Sequence, residues 1–433
     1  MTNDIRSRID SREAKVVIVG QGYVGLVASM RASEAGFDVV GLEIDEFRVG
    51  ELRAGRSYIE DVSEDEVRRA LDNGFTPTAD TESLGDFDIA VISVPTPLTD
   101  GLPDLSAIES AGGAVAQHLT PGSLVILEST TYPGTTTELL GELLTATSGL
   151  VPGRDFLLAY SPERIDPGNP QFSLANTPKI VGGVDEASLD ASLAFFSAFV
   201  AELVPVSTPA VAELAKLLEN TFRHVNIALV NELAMFASAL DIDVWEAIDA
   251  AATKPFGFMK FTPGPGVGGH CLPVDPSYLS WQIERRLGQQ FRFIDLANAV
   301  NRHMPEHVVQ RMLLQLNRRG LAVNGSSVLL LGAAYKRDTG DFRESPSLEI
   351  AEQLDALGAK VVIIEPFVAE GRLDDRYRHD RELTAAHVRE ADIVVIATDH
   401  TVFDYDMIAS TASALFDARN RITGDVTGDF ERL

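Results

Sequence analysis

The chain has 433 residues, more than a single hydrophobic core usually supports, so we expect two or three domains. Its formal net charge of −28 argues against nucleic acid or an anionic membrane surface as a partner, because like charges repel. The polar first residues, and the lack of an apolar run near the roughly 20 residues that span a bilayer, predict a cytoplasmic protein with no membrane segment.

The first part of the chain alternates apolar runs with helical patterns. A β-branched run at 15–20, a helical pattern over 23–35 and a second apolar run at 37–42 together predict a βαβ unit. Further apolar runs, separated by helix-like segments, follow at 87–97, 122–130 and 155–163. This alternation predicts a parallel sheet with helices on both faces.

The junction of the first strand and helix carries "GQGYVG", in which Gly20, Gly22 and Gly25 match the dinucleotide fingerprint G-x-G-x-x-G. The first glycine of that fingerprint allows a tight turn, the second lets the backbone approach a pyrophosphate, and the third lets the helix pack on the sheet. Glu43 follows the second strand, where a carboxylate binds the ribose hydroxyls and repels a 2′-phosphate. We therefore predict a site for NAD rather than NADP.

From about Val211 a helical pattern continues without proline or glycine past Leu240, which predicts a long helix as the spine of a central domain. This helix could also form a subunit contact, although a helix within one subunit explains the pattern equally well. After Gly320 the strand pattern of the first domain returns, at 326–336, 359–368 and 391–400. The second copy has "GAAYK" in place of the fingerprint, so we expect it to bind something other than a dinucleotide.

These patterns predict an α/β fold with two Rossmann-like, doubly wound domains joined by a central helical domain. We place the NAD-binding domain at 1–205, the central helical domain at 206–318 and the second Rossmann-like domain at 319–433.

Cys271 is the only cysteine of the chain and lies in "PGPGVGGHCLPVDP", which excludes an internal disulfide and a cysteine zinc cluster. Asp275 and Pro276 predict the N-cap and first residue of a helix, so the thiol precedes a helix N-terminus, whose partial positive charge favours the thiolate. Gly268 and Gly269 leave room for backbone to approach a ligand. We predict a thiol presented to a ligand, and the alternative is a small buried residue in a turn.

A dinucleotide and a nucleophilic cysteine together suggest oxidation of an aldehyde through a thiohemiacetal and a thioester, which water then hydrolyses. Such chemistry needs an oxyanion stabiliser and a base. In "ELAKLLEN", the residues Glu213, Lys216 and Asn220 fall on one helical face. The lysine, on an otherwise apolar helix, predicts a buried charge, whereas Glu213 and Asn220 alone are more typical of a solvated stripe.

Seven motifs together resemble the nucleotide-sugar 6-dehydrogenase family, which comprises the UDP-glucose and UDP-N-acetylhexosamine dehydrogenases. The resemblance runs in order from about Lys15 to His400 and so covers nearly the whole chain. The motifs are "GQGYVG", "VPTPL", "ESTTYPGTT", "SPERIDPG", "ELAKLLEN", "GPGVGGHCLPVDP" and "YKRDTGDFRESPS".

The resemblance implies an NAD-dependent, four-electron oxidation of a sugar C6 hydroxyl to a carboxylate, which consumes two NAD and one water. It implies that Cys271 is the nucleophile. Lys216 would stabilise the developing oxyanions, and Asn220 would bind the sugar beside it.

Three further roles follow from the resemblance. Asp275 would take part in proton transfer with a water held by Thr130, and Glu163 would activate the hydrolytic water. The roles of Glu163 and Thr130 each have a structural alternative. Glu163 could be an exposed loop carboxylate, and Thr130 could be a turn residue at a strand end.

The resemblance also places a nucleotide sugar on the domain at 319–433, where two cations beside a diphosphate are physically reasonable. A pair of surface charges is the alternative. The family pairs its subunits through the long central helix, so a homodimer or larger assembly is implied. The predicted cofactor-binding residues are Gly20, Gly22, Tyr23, Val24, Gly25, Glu43, Arg48, Pro95, Thr96 and Thr130. The predicted substrate-binding residues are Lys216, Asn220, Gly268, Lys336 and Arg343.

The stretch "GVGGHCLPVDP" resembles the N-acetylhexosamine branch of the family, because His270 and Val274 replace the serine and lysine common in UDP-glucose enzymes. The residues before it are more similar to UDP-N-acetylglucosamine dehydrogenases than to the mannosamine enzymes. We therefore predict UDP-N-acetylglucosamine, with UDP-N-acetylmannosamine, UDP-N-acetylgalactosamine and UDP-glucose as alternatives. Glu43 departs from the more usual aspartate by one methylene.

A metal site, a thiol hydrolase and a non-catalytic sensor are the alternative functions for this sequence. His303 and His307 are four residues apart on a predicted helix, but no third ligand accompanies them, so we expect surface histidines and no metal. A thiol hydrolase using His270 and Cys271 leaves the glycine fingerprint unexplained. A non-catalytic sensor of NAD or nucleotide sugars remains a different class, and it would have no use for the nucleophile.

Overall fold

The computed structural model describes residues 2–165, 171–269, 271–369 and 371–433, with residues 2–4 and 271 described by their backbone only. The chain divides into two compact units. The first contains the residues up to 219 together with 277–282, and the second contains 220–276 and 283–433. Two long helices contribute residues to both units.

The first unit is built on a sheet of eight strands, as far as the described residues show, in the order β10-β9-β8-β7-β4-β1-β2-β3. Strands β5 and β6 form a separate antiparallel hairpin. Most of the sheet is parallel, and buried apolar clusters cover both of its faces. The strands are β1 (Lys15–Val19), β2 (Asp38–Leu42), β3 (Thr76–Thr78), β4 (Ile89–Ile92), β5 (Leu98–Thr99), β6 (Leu102–Pro103), β7 (Leu124–Leu127), β8 (Leu157–Tyr160), β9 (Lys179–Gly183) and β10 (Leu203–Val206).

The second unit contains a parallel sheet of six strands among the described residues, in the order β13-β12-β11-β14-β15-β16. It repeats the arrangement of the first unit, because β11 lies between β12 and β14 as β1 lies between β2 and β4. The strands are β11 (Ser327–Leu331), β12 (Lys360–Ile364), β13 (Arg378–Asp380), β14 (Ile393–Ile396), β15 (Ala414–Asp417) and β16 (Asp429–Arg432).

Helices connect the strands and cover the sheets. In the first unit they are α1 (Thr2–Asp10), α2 (Gly25–Glu34), α3 (Glu46–Arg53), α4 (Glu64–Asp72), α5 (Ser106–Gln117), α6 (Gly141–Ser148) and α7 (Glu186–Phe196), with a 3-10 turn at Thr81–Leu84 and a π-helical turn at Thr135–Leu140. The later helices are α8 (Pro209–Ala239), α9 (Val244–Ala252), α10 (Cys271–Leu287), α11 (Arg292–Arg318), α12 (Pro346–Ala356), α13 (Ala385–Glu390) and α14 (Tyr405–Thr411). Within the part of the chain that is described, none of the helices combines the length and apolarity that crossing a bilayer requires.

The predicted α/β class, the repeated Rossmann-like sheet and the long central helix are confirmed. Two strands depart from the parallel expectation, β9 and its parallel neighbour β10. Strand β9 runs antiparallel to β8, with Ala159 opposite Gly183 and Tyr160 opposite Gly182. An antiparallel pair needs no crossover helix, so the chain can return directly from β8 to β9.

The start of α10 also differs from the prediction. We expected a helix that begins at Asp275 and Pro276, but α10 begins at Cys271 and contains Pro276. Asp275 is buried and its carboxylate accepts a hydrogen bond from Asn220, so its side chain does not act as the expected cap. Cys271 is therefore the first residue of the helix rather than a residue ahead of it.

The two compact units divide α8 between Glu219 and Asn220, which is a coarser division than the three predicted domains. The predicted boundaries at 205 and 318 stay a prediction.

Candidate functional site

The three fingerprint glycines lie from the end of β1 to the first residue of α2, and each has different neighbouring atoms. A Cβ atom at Gly20, where φ is +92°, would lie 2.2 Å from the carbonyl oxygen of Ser93. A Cβ at Gly25 would lie 1.9 Å from the carbonyl oxygen of Gly20, so only glycine lets the helix pack on the turn. A Cβ at Gly22 would meet no heavy atom within 4 Å. Gly22 thus borders open space, which fits the close approach of a pyrophosphate to the backbone.

Glu43 follows β2 and turns its carboxylate back to the glycine turn. Its Oε2 accepts a hydrogen bond from the Gln21 N–H at 3.1 Å, and its Oε1 accepts one from the Asp45 N–H at 3.1 Å. Arg48 on α3 approaches the same carboxylate, with Nη1 3.4 Å from Oε2. The buried Glu43 carboxylate therefore stands beside the turn, at the position where a ribose diol is bound in dinucleotide sites.

The other predicted cofactor residues lie at the carboxyl ends of neighbouring strands. Tyr23 and Val24 are half-buried residues of the glycine turn. Pro95 is exposed and Thr96 buried in the segment after β4. The Ser129 hydroxyl ties that segment to the end of β7, because it accepts the Val94 N–H at 2.9 Å and donates to the Val94 carbonyl at 2.8 Å. Thr130, the next residue, is half-buried. The observed arrangement fits a dinucleotide lying across the carboxyl edge of this sheet.

Lys216 and Glu163 are brought together within the first unit. Lys216 is buried on α8, and its ammonium donates a hydrogen bond of 2.6 Å to the carbonyl oxygen of Glu163. The Glu163 carboxylate is also buried, and its Oε1 accepts the backbone N–H groups of Arg164 and Ile165 at 2.6 and 2.5 Å. Glu163 is therefore not the exposed loop carboxylate that the sequence left as an alternative.

The alternative of a solvated stripe on α8 does not hold, since Glu213 and Asn220 are both buried. Glu213 accepts hydrogen bonds from the Gly134 N–H at 2.6 Å, the Thr136 N–H at 2.9 Å and the Thr136 hydroxyl at 2.6 Å. Burial raises the pKa of Glu213, and these three donors act in the opposite direction. Glu213 thereby holds the start of the π-helical turn, a structural contact that the helical spacing did not indicate.

Asn220 and Asp275 are brought together within the second unit. The Asn220 amide donates to Asp275 Oδ2 at 2.5 Å, and both side chains are buried. Asp275 lies on α10, four residues after Cys271. The thiol of Cys271 lies outside the described part of the structure, as does residue 270, so the position of the predicted nucleophile relative to Asp275 stays a prediction.

The glycine-rich loop before Cys271 packs against the segment that follows β11. The Gly269 N–H donates to the Arg343 carbonyl at 3.0 Å. A Cβ at Gly268 would lie 2.6 Å from the Glu344 carbonyl oxygen, and one at Gly269 would lie 2.7 Å from the Tyr335 ring. Protein atoms fill the Cβ positions of both glycines, so the close approach observed is that of the loop to this segment. The approach of a ligand to the loop backbone stays a prediction.

The two predicted diphosphate cations lie on the same segment. Lys336 is half-buried. Arg343 is exposed, and its guanidinium forms a two-point ion pair with Asp341, at 2.9 and 2.6 Å. Gly268, Lys336 and Arg343 thus belong to one packed region of the second unit, around the loop that leads to Cys271.

Sequence reasoning missed a third cation in this region. Arg419 follows β15, its Nε donates to the Ala397 carbonyl at 2.7 Å, and its guanidinium covers Gly264, where a Cβ would lie 2.8 Å from Nη1. Burial lowers the pKa of Arg419 to about 10, although its surface is partly accessible, so it remains a cation near neutral pH. The signal was the position of Arg419, just past the carboxyl end of a strand in the second Rossmann-like sheet.

The second Rossmann-like turn differs from the first in one contact. Glu365 follows β12 as Glu43 follows β2, but it is fully buried and accepts the N–H groups of Ala333 and Ala334 at 2.8 and 2.9 Å. The buried His400 ring lies 3.0 Å from the same carboxylate. In the first turn Glu43 accepts the matching Gln21 N–H as well, so the added bond is that of Ala334, at the position of Gly22, where a pyrophosphate would approach. This agrees with the prediction that the second copy binds something other than a dinucleotide.

The histidine pair on α11 gives no metal geometry. His303 contacts Glu306 at 3.1 Å, and burial lowers the pKa of His307 to about 4. In the described ranges, no group of three His, Cys, Asp or Glu side chains could hold a metal ion.

Three stretches of the chain match the domains of one protein family. Residues 14–200 match the NAD binding domain of the UDP-glucose/GDP-mannose dehydrogenase family, 210–303 its central domain, and 329–424 its UDP binding domain. These matches agree with the dinucleotide geometry of the first turn and the closed second turn.

Similar proteins include two curated relatives and a solved structure. The chain is 36% identical to a UDP-N-acetyl-D-mannosamine dehydrogenase of Pyrococcus horikoshii, over 90% of each chain. It is 34% identical to a UDP-N-acetyl-D-glucosamine 6-dehydrogenase of Salmonella typhi, over 90% of this chain and 91% of that one. A solved structure of the UDP-D-ManNAc dehydrogenase from Pyrococcus horikoshii has a TM-score of 0.88 at 34% identity, covering 96% of this chain and 98% of that one.

Proposed function

The chain belongs to the UDP-glucose/GDP-mannose dehydrogenase family, and from that premise we propose that it oxidises the C6 hydroxyl of a UDP-N-acetylhexosamine to the uronate. We propose UDP-N-acetylglucosamine as the sugar, because the residues around Cys271 are similar to those of the enzymes that act on it. The mannosamine and glucosamine relatives are 36% and 34% identical to the chain, so identity does not choose between them.

In the first oxidation, we propose that Asp275 and a water held by Thr130 take the proton of the C6 hydroxyl. The glycine turn and Glu43 would hold NAD, which supplies the hydride acceptor for this oxidation, and a second NAD exchanged for the first NADH would supply it for the next. The Lys216 ammonium would stabilise the oxyanion that develops on the sugar oxygen. Asn220, hydrogen-bonded to Asp275, would orient that carboxylate and bind the sugar beside it.

In the second oxidation, we propose that the Cys271 sulfur bonds to the aldehyde carbon and the thiol proton moves to the aldehyde oxygen. Loss of a hydride from C6 and of the hydroxyl proton then gives a thioester. For hydrolysis, Glu163 would accept a proton from water while the water oxygen bonds to the carbonyl carbon. The carbon–sulfur bond breaks, its electron pair returns to the Cys271 sulfur, and the uronate leaves.

The observation that carries the proposal is the contact of Lys216 with Glu163. A buried ammonium is costly unless it serves a partner, and here its hydrogen bond goes to a neutral carbonyl. An ammonium has three donors, so one such bond leaves capacity for a developing oxyanion. The Glu163 carboxylate belongs to the residue whose carbonyl Lys216 contacts, so the proposed oxyanion stabiliser and the proposed base are neighbours.

The test is a measurement of NADH and uronate with UDP-N-acetylglucosamine, UDP-N-acetylmannosamine, UDP-N-acetylgalactosamine and UDP-glucose. We expect two NADH per uronate and the highest kcat/KM with UDP-N-acetylglucosamine. A higher kcat/KM with another of the sugars would overturn the substrate assignment and keep the reaction. Absence of NADH with all four sugars would overturn the enzymatic proposal in favour of a sensor.

We also propose that a second copy of the chain covers one face of α8. An apolar stripe repeats every three, four or seven residues along this helix and is exposed to solvent, whereas Glu213, Lys216 and Asn220 lie on the opposite face. Exposed apolar stripes of this length mark protein contacts. The stripe consists of Val211, Leu214, Leu218, Phe222, Leu229, Leu233 and Phe236 of α8, and of Leu240 just past its end.

A further inference from the structure

A buried cluster of charges lies at the carboxyl edge of the first sheet, beside Glu163. Glu128 follows β7, Glu163 follows β8, and Lys179 is the first residue of β9. The Lys179 ammonium lies 2.5 Å from Glu128 Oε1 and 3.6 Å from Glu163 Oε2. All three side chains are buried, with Glu128 and Lys179 only 2% and 3% exposed.

The antiparallel course of β9 explains how the lysine reaches this edge. Parallel strands β7 and β8 bring their carboxyl ends, and hence Glu128 and Glu163, to one edge of the sheet. Because β9 runs the other way, its first residue lies at that edge. The register of Tyr160 opposite Gly182, continued along both chains, sets Glu163 opposite Lys179.

The cluster contains two carboxyl groups, of Glu128 and Glu163, and one ammonium, of Lys179. Both Glu128 Oε2 and Glu163 Oε2 are buried, and neither has a hydrogen-bond partner among the described residues. Burial opposes the charge on Lys179, but the two carboxylates outweigh that effect, so the pKa of Lys179 is raised. Burial raises the pKa of Glu128, although Lys179 acts in the opposite direction. The Lys179 ammonium thus lies between two buried carboxylates, and it is closer to Glu128 than to Glu163.

Other charges near Glu163 are engaged elsewhere. The Lys216 ammonium bonds the Glu163 carbonyl rather than the carboxylate. The Arg164 guanidinium pairs with Glu219 at 2.6 Å and donates to the Pro178 carbonyl at 2.6 Å. Lys179 is therefore the cation placed against the unbonded oxygen of the carboxylate.

We propose that Lys179, anchored by Glu128, is a positioning residue that holds the Glu163 side chain with Oε2 directed at its water. This inference rests on the proposed role of Glu163 as the base in thioester hydrolysis. Lys179 itself bonds neither substrate nor cofactor. Its ammonium attracts Oε2 of Glu163, and its contact with Glu128 fixes where that ammonium lies.

The test follows NADH formation and uronate release in wild type, Lys179→Gln and Lys179→Arg. We expect Lys179→Gln to slow uronate release by about tenfold, because Glu163 loses the cation that holds its Oε2 in place. The KM for the UDP-sugar and the first NADH-forming step should stay at the wild-type values. Lys179→Arg, which keeps the cation, should restore most of the release rate.

Two further variants keep the result interpretable. Lys15→Gln removes an ammonium from the first residue of β1, where it donates to the Leu84 carbonyl, and should leave the rate of uronate release unchanged. If Lys179→Gln does not fold, Glu128→Gln combined with Lys179→Gln also removes the carboxylate that Lys179 pairs with, and should show the same slow release of uronate.

The outcomes separate the two proposals. If wild type forms no uronate, or if Glu163→Gln releases it at the wild-type rate, the proposed function of Glu163 fails. If wild type turns over and Glu163→Gln stalls after NADH formation, but a folded Lys179→Gln releases uronate at the wild-type rate, the role of Lys179 is overturned.

Discussion

The Asn220 amide donates to the buried Asp275 carboxylate across 2.5 Å, and the two residues lie on different helices 55 positions apart. This bond joins the residue proposed to bind the sugar with the one proposed to move its proton. Replacing Asn220 removes a donor from a buried carboxylate, which is costly in a low-dielectric site.

We expect Asn220→Ala to lower the free energy of unfolding by about 1 to 3 kcal/mol and to lower kcat strongly. The measurements are denaturant unfolding and NADH formation. Asn226→Ala is the matched control, because this amide lies on the same helix and donates to the Phe222 carbonyl one turn earlier. If both variants lost the same unfolding free energy and the same kcat, the contact with Asp275 would not contribute more to stability and activity than the control contact.

The fingerprint glycines allow stability to be separated from cofactor binding. Gly22→Ala should fold normally and raise the Kd for NAD at least about tenfold, since its Cβ enters open space that the pyrophosphate needs. Gly25→Ala should lose about 2 kcal/mol or more of folding stability, because its Cβ would overlap the Gly20 carbonyl.

Gly50→Ala, in α3 with no heavy atom near its Cβ, is the control and should gain up to about 1 kcal/mol. The readouts are thermal unfolding and calorimetric NAD titration. Wild-type NAD affinity in Gly22→Ala would contradict the assignment of the pyrophosphate to this turn.

The covalent step predicts a distinct defect in Cys271→Ser. This variant should bind the UDP-sugar as wild type does but release uronate at least roughly a thousandfold more slowly, because a hydroxyl is a far weaker nucleophile than a thiolate. Substrate binding by calorimetry and uronate by chromatography would test this. Uronate release at the wild-type rate would remove the thioester from the mechanism.

His307 predicts a pH-dependent loss of stability. Burial is the main cause that lowers its pKa to about 4, and Arg311 and His303 contribute. The unfolded chain protonates this ring near pH 6.5, so protons favour the unfolded state as the pH falls from about 6.5 to about 4. Wild type should therefore lose more stability over this range than His307→Gln.

The control for this effect is His303→Gln, which changes an exposed histidine one turn earlier on the same helix. Urea unfolding at pH 7, 5.5 and 4 gives the comparison. If the free energy of unfolding fell equally with pH in wild type and His307→Gln, the His307 ring would not contribute to the pH dependence of stability.

The apolar stripe of α8 predicts the effect of a single charge on assembly. Leu218 is 63% exposed in the chain, and Leu218→Asp should shift the protein from dimer to monomer because a carboxylate would be buried in the contact. Sedimentation at several concentrations measures this. Arg223→Glu, an exposed change on the same helix outside the stripe, should leave the dimer intact.

The central strands of both sheets could be predicted from the sequence because parallel strands buried on both faces are continuous apolar runs. Strands β9 and β10 were missed, since "KIVGG" and "LVPV" contain glycine or proline and give weaker signals. The same strands determine the surroundings of Glu163. The register that sets Lys179 near Glu163 depends on strand direction, which no local pattern encodes.

The glycine fingerprint and Glu43 were predictable because each role follows from chain conformation within one βαβ unit. The burial of Asn220 and Asp275 was not, because the two side chains meet only when α8 and α10 pack together. Spacing along α8 correctly indicated one face for Glu213, Lys216 and Asn220. It could not show that this face turns inward.

The contact of Glu365 with Ala333 and Ala334 has a consequence for the history of the two sheets. If both sheets descend from one duplicated scaffold, the two turns now differ at one donor. Glu43 bonds the Gln21 N–H and leaves Gly22 bordering open space, whereas Glu365 also bonds the Ala334 N–H, at the position of Gly22. Reintroducing glycines into "GAAYK" would therefore not by itself recreate a coenzyme site, because Glu365 would still have to release this N–H.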